Sequence, residues 1–418
     1  MRVGLMSWGS DGDIRPLIAL GAGLAGRGHR VTLAAASVQG SDYAGLCAAA
    51  GIAWRAIPIV DAAAVLRGIA ALGVQHERDT VLIRRLFERL YVPALAGMTT
   101  EARALVADSD ALAGHHMAVP LSAAARAAGR PLATVTYWPG FVPRDDLPPP
   151  GLPCGPRWFN RRGWWLLRRM IDSYLLAPSA SCWGAAGLGP LARVEQAWFA
   201  GQINLVAAPR VLCPPAAEWT GRHLVTGPLL MPERAEGGAL PAAVEAFLAA
   251  GPPPLHLGLG SPQEADPVVL TRLLVEAARL AGVRALVRSH DPALPPGTMV
   301  DRVLAVGALP HRQLLPRCAG VLHHGGAGTT ATALAAGLPA AVVPFSDEQK
   351  DWARRLAAVG ACAGVLPVRR ATPERLAPIL RRLAGDQMLG TAARAAAAAM
   401  AAEDGVAAAV AAVEALGG

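Results

Sequence analysis

The sequence predicts a doubly wound α/β protein of two domains, and three observations carry that prediction. From residue 242 onward, apolar strand patterns and helical patterns alternate regularly, the rhythm of a parallel sheet covered by helices on both faces. Residues 321–344 (VLHHGGAGTTATALAAGLPAAVVP) read as strand, glycine turn, helix and strand. The chain also opens on such a unit, and its 418 residues are too many for one ordinary domain but enough for two, each able to bury a core.

Taken in order, residues 2–7 read as a strand, 8–12 as a loop and 14–26 as a helix, with Pro16 placed in its first turn. The next strand is 29–35. A strand ending at His116 (112–116), a helix over 120–128 and a strand over 131–137 follow. These put His115, His116, Tyr137 and Trp138 at one edge of the first sheet. A proline-rich loop (139–156) leads to RWFNRRGWWLLRRM, from Arg157 to Met170. Its five arginines and interleaved aromatics suit peripheral contact with a membrane surface. They also suit a helix that packs its aromatics inward and solvates its arginines, and that reading is preferred because the apolar positions do not fall on one face. Strands at 203–207 and 223–227 close the first domain, 1–230. Residues 231–241 (MPERAEGGALP) have the composition of a linker.

The second domain, 242–390, then runs helix 242–250, strand 254–259, helix 267–281, strand 283–289, strand 300–306 and helix 311–317. After the glycine-turn unit come a helix over 347–359 and a strand over 362–366. A helix over 372–383 precedes the alanine-rich tail, 391–418.

Composition removes several classes of function. The six cysteines form no CxxC or metal-ligand spacing and fit reduced thiols in a cytoplasmic protein. No apolar stretch runs uninterrupted for the length of a bilayer span, and the N-terminus lacks the ordered regions of a secretory signal. The net charge of +8 comes almost wholly from dispersed arginine, with Lys350 the only lysine. Without a nucleic-acid module, such charge suits an anionic small ligand and gives no nucleic-acid partner. A literal G-x-G-x-x-G at Gly21, Gly23 and Gly26 lies inside a helix, with no acidic residue ending the following strand, so no dinucleotide is expected there. Asp11 and Asp13 spell D-x-D, but no second carboxylate cluster completes an oxygen-rich site, and no metal is expected.

The chemistry concentrates in the glycine turn. Gly325, Gly326 and Gly328 let backbone N–H groups approach a ligand, Thr329 and Thr330 add hydroxyls where the helix begins, and His324 can donate one more bond. A helix start is an anion site, because its first N–H groups are unpaired and the macrodipole is positive there. Asp347, Glu348 and Gln349 end the next strand at the same sheet edge, offering carboxylate and amide to hydroxyl groups. Phosphate joined to a polyol describes a nucleotide sugar.

The run HHGGAGTT (323–330), followed by PFSDEQ (344–349), Trp352 and Arg355, resembles the donor signature of the inverting GT-B glycosyltransferases of the UDP-glycosyltransferase superfamily. It is closest to sterol glucosyltransferase-like and antibiotic glycosyltransferases. Residues 9–31 (GSDGDIRPLIALGAGLAGRGHRV) resemble the same group's N-terminal signature, with VTGP (225–228) and GLGS (258–261) between, so the likeness covers nearly the whole chain. It implies two Rossmann-like domains facing each other across a cleft. The last helix, 391–418, would cross back to the first domain.

The resemblance further implies transfer of a hexose from a UDP- or dTDP-linked donor to a hydroxyl of a hydrophobic small molecule, with inversion and no cofactor or metal. Carried onto this sequence, the donor would be held by Gly12, Ser261, His324, Gly326, Ala327, Gly328, Thr329 and Thr330. Ala308 and Leu309 would meet the base, and Glu348 and Gln349 the sugar hydroxyls. His115, His116, Tyr137 and Trp138 would face the acceptor, and the resemblance favours a third reading of residues 157–170, as a wall of the acceptor pocket. Asp13 matches the general base of the antibiotic-glycosylating members, with His115 or His116 in reserve; Asp13 is also a residue type that caps helices. Glu348 stands where sterol-type members carry aspartate, and Thr332 where plant members carry a ribose-binding glutamate. Two other classes fit a two-domain nucleotide-sugar site, an epimerase and a binding protein without activity.

Overall fold

The computed structural model describes the chain apart from residues 60–86, 174–179, 186, 188–192, 194–196, 232–238 and 261–265. Of the described residues, those up to Met231 together with Asp404–Gly418 form one compact unit, and those from Ala239 to Glu403 form another.

The first unit is built on a seven-stranded sheet in the order β3-β2-β1-β4-β5-β6-β7. The strands are β1 (Arg2–Gly9), β2 (Arg30–Ser37), β3 (Ile52–Ala56), β4 (Ala111–His115), β5 (Leu132–Thr136), β6 (Ile203–Val206) and β7 (His223–Val225). All neighbours pair in parallel. Strands buried on both faces need continuous apolar runs, and β4 and β5 are buried at every position. The helices are α1 (Asp11–Gly26), α2 (Ala44–Ala49), α3 (Val92–Asp108), α4 (Val119–Ala127), α5 (Arg157–Ile171) and α6 (Ala180–Ala185). The sequence reading had not found β3, α2 or α3.

Two boundaries near the N-terminus move with consequences. β1 reaches Gly9 and α1 begins at Asp11, so residues 10–13 are a helix start and not a loop. Pro16 is therefore the sixth helical residue, not a first-turn residue, and removes the N–H that would bond the Gly12 carbonyl.

The second unit carries a second seven-stranded sheet, in the order β10-β11-β9-β8-β12-β13-β14. Its strands are β8 (Leu255–Leu257), β9 (Ala285–Arg288), β10 (Met299–Val300), β11 (Val303–Val306), β12 (Gly320–His323), β13 (Ala340–Val342) and β14 (Cys362–Val365). All pair in parallel except β10, which is antiparallel to β11. The single strand expected over 300–306 is thus a hairpin, turned at Asp301 with φ 52°. The helices are α7 (Ala242–Ala249), α8 (Pro267–Ala281), α9 (His311–Leu314), α10 (Ala327–Ala335), α11 (Asp347–Ala358), α12 (Pro373–Gly385) and α13 (Gln387–Ala401). Leucines and valines of β8, β9, α8 and α12 form one core layer, while α7, β11 and the segment after α9 form the other.

The alanine-rich tail is two helices, not one. It is apolar enough by composition to pass for a membrane span, with hydropathy 1.5 over its best window. Yet α13 ends at Ala401, and Glu403 and Asp404 precede α14 (Gly405–Gly417). α13 buries Leu389, Ala393, Ala396 and Met400. α14 buries Ala409, Val410 and Val413 and belongs to the first unit, so the return begins at residue 404 and not at 391. The linker expected at 231–241 lies mostly outside the described residues.

Apart from the antiparallel edge strand β10, the strand order in each sheet reverses direction once, between β1 and β4 in the first and between β8 and β12 in the second. Open α/β sheets bind ligands at the carboxyl ends of the strands flanking such a reversal. Asp13 and His115 follow or end the first pair; Gly260 and His324 follow the second.

Candidate active-site residues

In the first unit, Asp13 is held in place from several sides. Ser10 is the N-cap of α1, which corrects the reading of Asp13 as its cap. Asp13 instead occupies the third helical position, and its Oδ2 accepts from Ser10 N at 2.7 Å and Ser10 Oγ at 2.9 Å. That return bond to the N-cap backbone is half of a capping box. Its main-chain carbonyl accepts from Ser7 Oγ at 2.7 Å and Tyr137 Oη at 3.1 Å. Beneath it, Gly9 has φ 138°, and a Cβ there would collide with the carboxylate. Only glycine supports this arrangement.

His115 approaches from the end of β4. Its Nδ1 lies 3.1 Å from the Trp8 carbonyl, an atom that can only accept, so the proton sits on Nδ1 and Nε2 presents a lone pair. That Nε2 is 3.8 Å from Asp13 Oδ1, too long for a hydrogen bond. Burial lowers the His115 pKa to about 4, against the bond to Trp8. Burial also pushes the Asp13 carboxyl above the usual carboxylate range, against the Ser10 donors, although 32% of its side chain is exposed. The pair is therefore two acceptors facing one another, and a hydroxyl delivered between them meets a base on either side.

Of the four residues expected to face the acceptor, His115, His116 and Tyr137 are only 4–6% exposed. Tyr137 stacks on His115 with centroids 5.1 Å apart, and His116 packs edge-on to it at 4.3 Å. They brace Asp13 more than they offer open surface. Trp138 is half-buried and packs on Phe141. The D-x-D does not converge on one point, since the Asp11 carboxylate accepts from Tyr43 Oη and Ser41 Oγ. Among the described residues no group of three or more His, Cys, Asp or Glu has a metal-binding arrangement.

In the second unit the glycine turn joins β12 to α10. Gly326 is the N-cap, extended at φ −65° and ψ 146°, with no side chain bonded to the helix start. The first amides, on Ala327, Gly328 and Thr329, point outward from a positive helix end. Thr330 is 1% exposed, and its hydroxyl has no partner among the described residues. His323 is wholly buried and accepts from Gly325 N at 2.9 Å, tying the turn to the strand.

His324 lies over two glycines. A Cβ on Gly260 (φ 75°) would come within 3.1 Å of the ring, and one on Gly326 would collide with Nε2. Burial, aided by Arg288 and His311, lowers its pKa to about 4, so it is neutral near pH 7 and offers an N–H in place of a charge. The positive charge comes from Arg288, at the end of β9 and near enough to depress His256, His290 and His324 alike. Sequence reasoning missed Arg288; its only signal was a strand-terminal basic residue. It also passed over Ser10, legible as the S-x-x-D of a capping box.

The DEQ turn starts α11, with Ser346 as N-cap. Gln349 Oε1 accepts from Phe345 N at 2.7 Å, which leaves its amide N–H₂ for a ligand. Glu348 is half-buried, and Asp347 pairs with Lys350 at 2.7 Å. Ala308 is exposed and Leu309 half-buried in the loop after β11; Gly12 is exposed in the first turn of α1. Ser261 lies outside the described residues. Trp352 is 1% exposed and Arg355 pairs with Asp351 at 2.8 Å, so that part of the motif secures the helix.

A family model described as "Erythromycin biosynthesis protein CIII-like, C-terminal domain" matches residues 283–416. Over 97% of its length the chain is 30% identical to the O-mycaminosyltylonolide 6-deoxyallosyltransferase of Streptomyces fradiae, of which it covers 95%. It is 32% identical to glycosyltransferase GtfE of Amycolatopsis orientalis over 86% of this chain and 85% of that one. The solved structure of glycosyltransferase VinC in complex with DTDP matches with a TM-score of 0.67 at 21% identity, covering 100% of this chain and 99% of that one. That last likeness is one of fold, the GT-B fold.

Proposed function

Because the chain belongs to the glycosyltransferase family of these antibiotic-pathway enzymes, we propose that it moves a hexose from a UDP- or dTDP-linked donor to a hydroxyl of a hydrophobic small molecule, with inversion and without a metal. The observation that carries the reading is the uncapped start of α10, with Arg288 and the neutral His324 beside it. A departing diphosphate needs donors fixed in advance where its charge develops, and a helix start supplies them without reorganisation. VinC was solved with DTDP, which favours trying dTDP-sugars alongside UDP-sugars.

In the proposed step, the acceptor hydroxyl loses its proton to the Asp13 carboxylate as its oxygen attacks the anomeric carbon. The bond from that carbon to the diphosphate oxygen breaks, and the leaving electrons stay on the diphosphate. Attack from the face opposite the leaving group inverts the centre. Glu348 and the Gln349 amide N–H₂ would hold the hexose hydroxyls, and Ala308 and Leu309 the base. The free thiols of Cys47, Cys154, Cys213, Cys318 and Cys362 accord with a cytoplasmic setting.

Incubation with labelled UDP- and dTDP-hexoses tests the reading. Transfer to an added hydroxyl compound, or slow release of free hexose, supports it. An isomerised donor would make the protein an epimerase, and binding without turnover of any donor would make it a sensor.

A further inference from the structure

Helix α5 (Arg157–Ile171) turns only a narrow side inward. Asn160, Gly163 and Trp164 are its buried residues. The Asn160 amide donates to the Asp145 carbonyl at 2.9 Å and to the Gly155 carbonyl at 3.0 Å, and Trp164 Nε1 donates to the Leu147 carbonyl at 2.8 Å. The outward face carries Trp158 and Trp165, each 63% exposed, with Leu166 and Met170 each 51% exposed. At 3.6 residues per turn, positions 158, 162, 165, 166 and 169 fall on one stripe roughly 100° wide. The sequence reading, which packed the aromatics inward, holds for Trp164 and in part for Phe159; Trp158 and Trp165 depart from it.

Arg162 and Arg169 lie within that stripe, and neither has an ion-pair partner among the described residues. Arg161 and Arg168 flank it, Arg161 paired with Asp145 at 2.8 Å. The helix contains no acidic residue.

We propose that this face docks on the surface of an anionic lipid bilayer. Tryptophan rings favour the headgroup level, where one edge is apolar and the other wet. Guanidinium groups at the same height reach lipid phosphates, and the chain's net charge of +8 draws it to the same surface. A second copy is a poorer occupant, because pairing this face with itself would set Arg162 and Arg169 against like charges. The inference does not depend on the glycosyl-transfer reading, and either can fail alone.

The test is co-sedimentation of the full chain with vesicles of phosphatidylcholine alone or of equal parts phosphatidylcholine and phosphatidylglycerol. The protein should pellet with the anionic vesicles only, and less as salt is raised. Trp158→Ala/Trp165→Ala should weaken partitioning at least about tenfold. Arg162→Gln/Arg169→Gln, exposed changes that keep the fold testable, should weaken it roughly thirtyfold at low salt. Absence of pelleting, equal pelleting with neutral vesicles, or a dimer in solution that the tryptophan pair abolishes would each overturn the proposal.

Discussion

Asp13 concentrates the account at the scale of single residues. Asp13→Asn keeps the size and the acceptor for Ser10 N, so the variant should fold and bind donor nearly as the parent does. Turnover should fall by at least about a hundredfold, the lower end of what removing a general base costs. The parent's rate should also fall on acidification earlier than an ordinary carboxylate would predict, because burial raises the Asp13 pKa. Steady-state rates against pH, with donor binding by calorimetry, check both points. At the other centre, His324→Ala removes a neutral donor over the glycine turn. Affinity for the bare nucleoside diphosphate should drop by roughly tenfold, the value of one hydrogen bond to a charged group. Asp13 and His324 were both legible in the sequence because each sits in a short signature. Their supports were not: Gly9, Ser7 and Tyr137 meet Asp13 only once β1, α1 and β5 are folded, and Arg288 reaches His324 from another strand.

At the scale of elements, the start of α1 links local structure to chemistry. Ser10 both begins the helix and donates twice to the Asp13 carboxylate. Ser10→Ala should cost about 1 kcal/mol of stability, as lost N-caps do, and should shift the acid limb of the rate profile upward, because one stabilising donor to the carboxylate is gone. Thermal unfolding and the pH profile together separate this from simple destabilisation. Elements with strong periodicity were readable from sequence, among them α8, α11 and α12. The hairpin β10–β11 was not, because Val300–Val306 (VDRVLAV) passes for one strand with two charged residues in it, and its turn depends on Asp301 adopting a left-handed φ. α5 was misjudged in part for a different reason: its inward side is only Asn160, Gly163 and Trp164, which leaves Trp158 and Trp165 outside against the usual rule.

At the scale of the whole molecule, buried histidines couple stability to pH. His115 and His324 are lowered to about 4, and His256 and His323 to about 3, in each case chiefly by burial. Below their ordinary value of about 6.5 the unfolded chain binds more protons than the folded one. Stability should therefore be full above that pH and decline as pH falls toward 4. Asp13, with its raised pKa, acts in the opposite sense but is a single group. Urea midpoints at pH 7.5 and about 5 should show the lower value at acid pH; equal midpoints would mean these histidines are protonated in the fold. Two sheet-and-helix domains, with Asp13 in one and the glycine turn in the other, were implied by the sequence patterns; the points where the strand order reverses were not. The short strand β3 and helices α2 and α3 that complete the first unit carried weaker patterns.

Glycosyl transfer by a carboxylate base and a helix-start phosphate site needs no metal in the step. The most direct measurement is turnover of labelled dTDP- and UDP-hexoses, with a hydroxyl acceptor, in excess EDTA. Hexose transfer or release should run at the same rate with and without chelator and be lost in Asp13→Asn. Activity abolished by EDTA and restored by magnesium or manganese would contradict it.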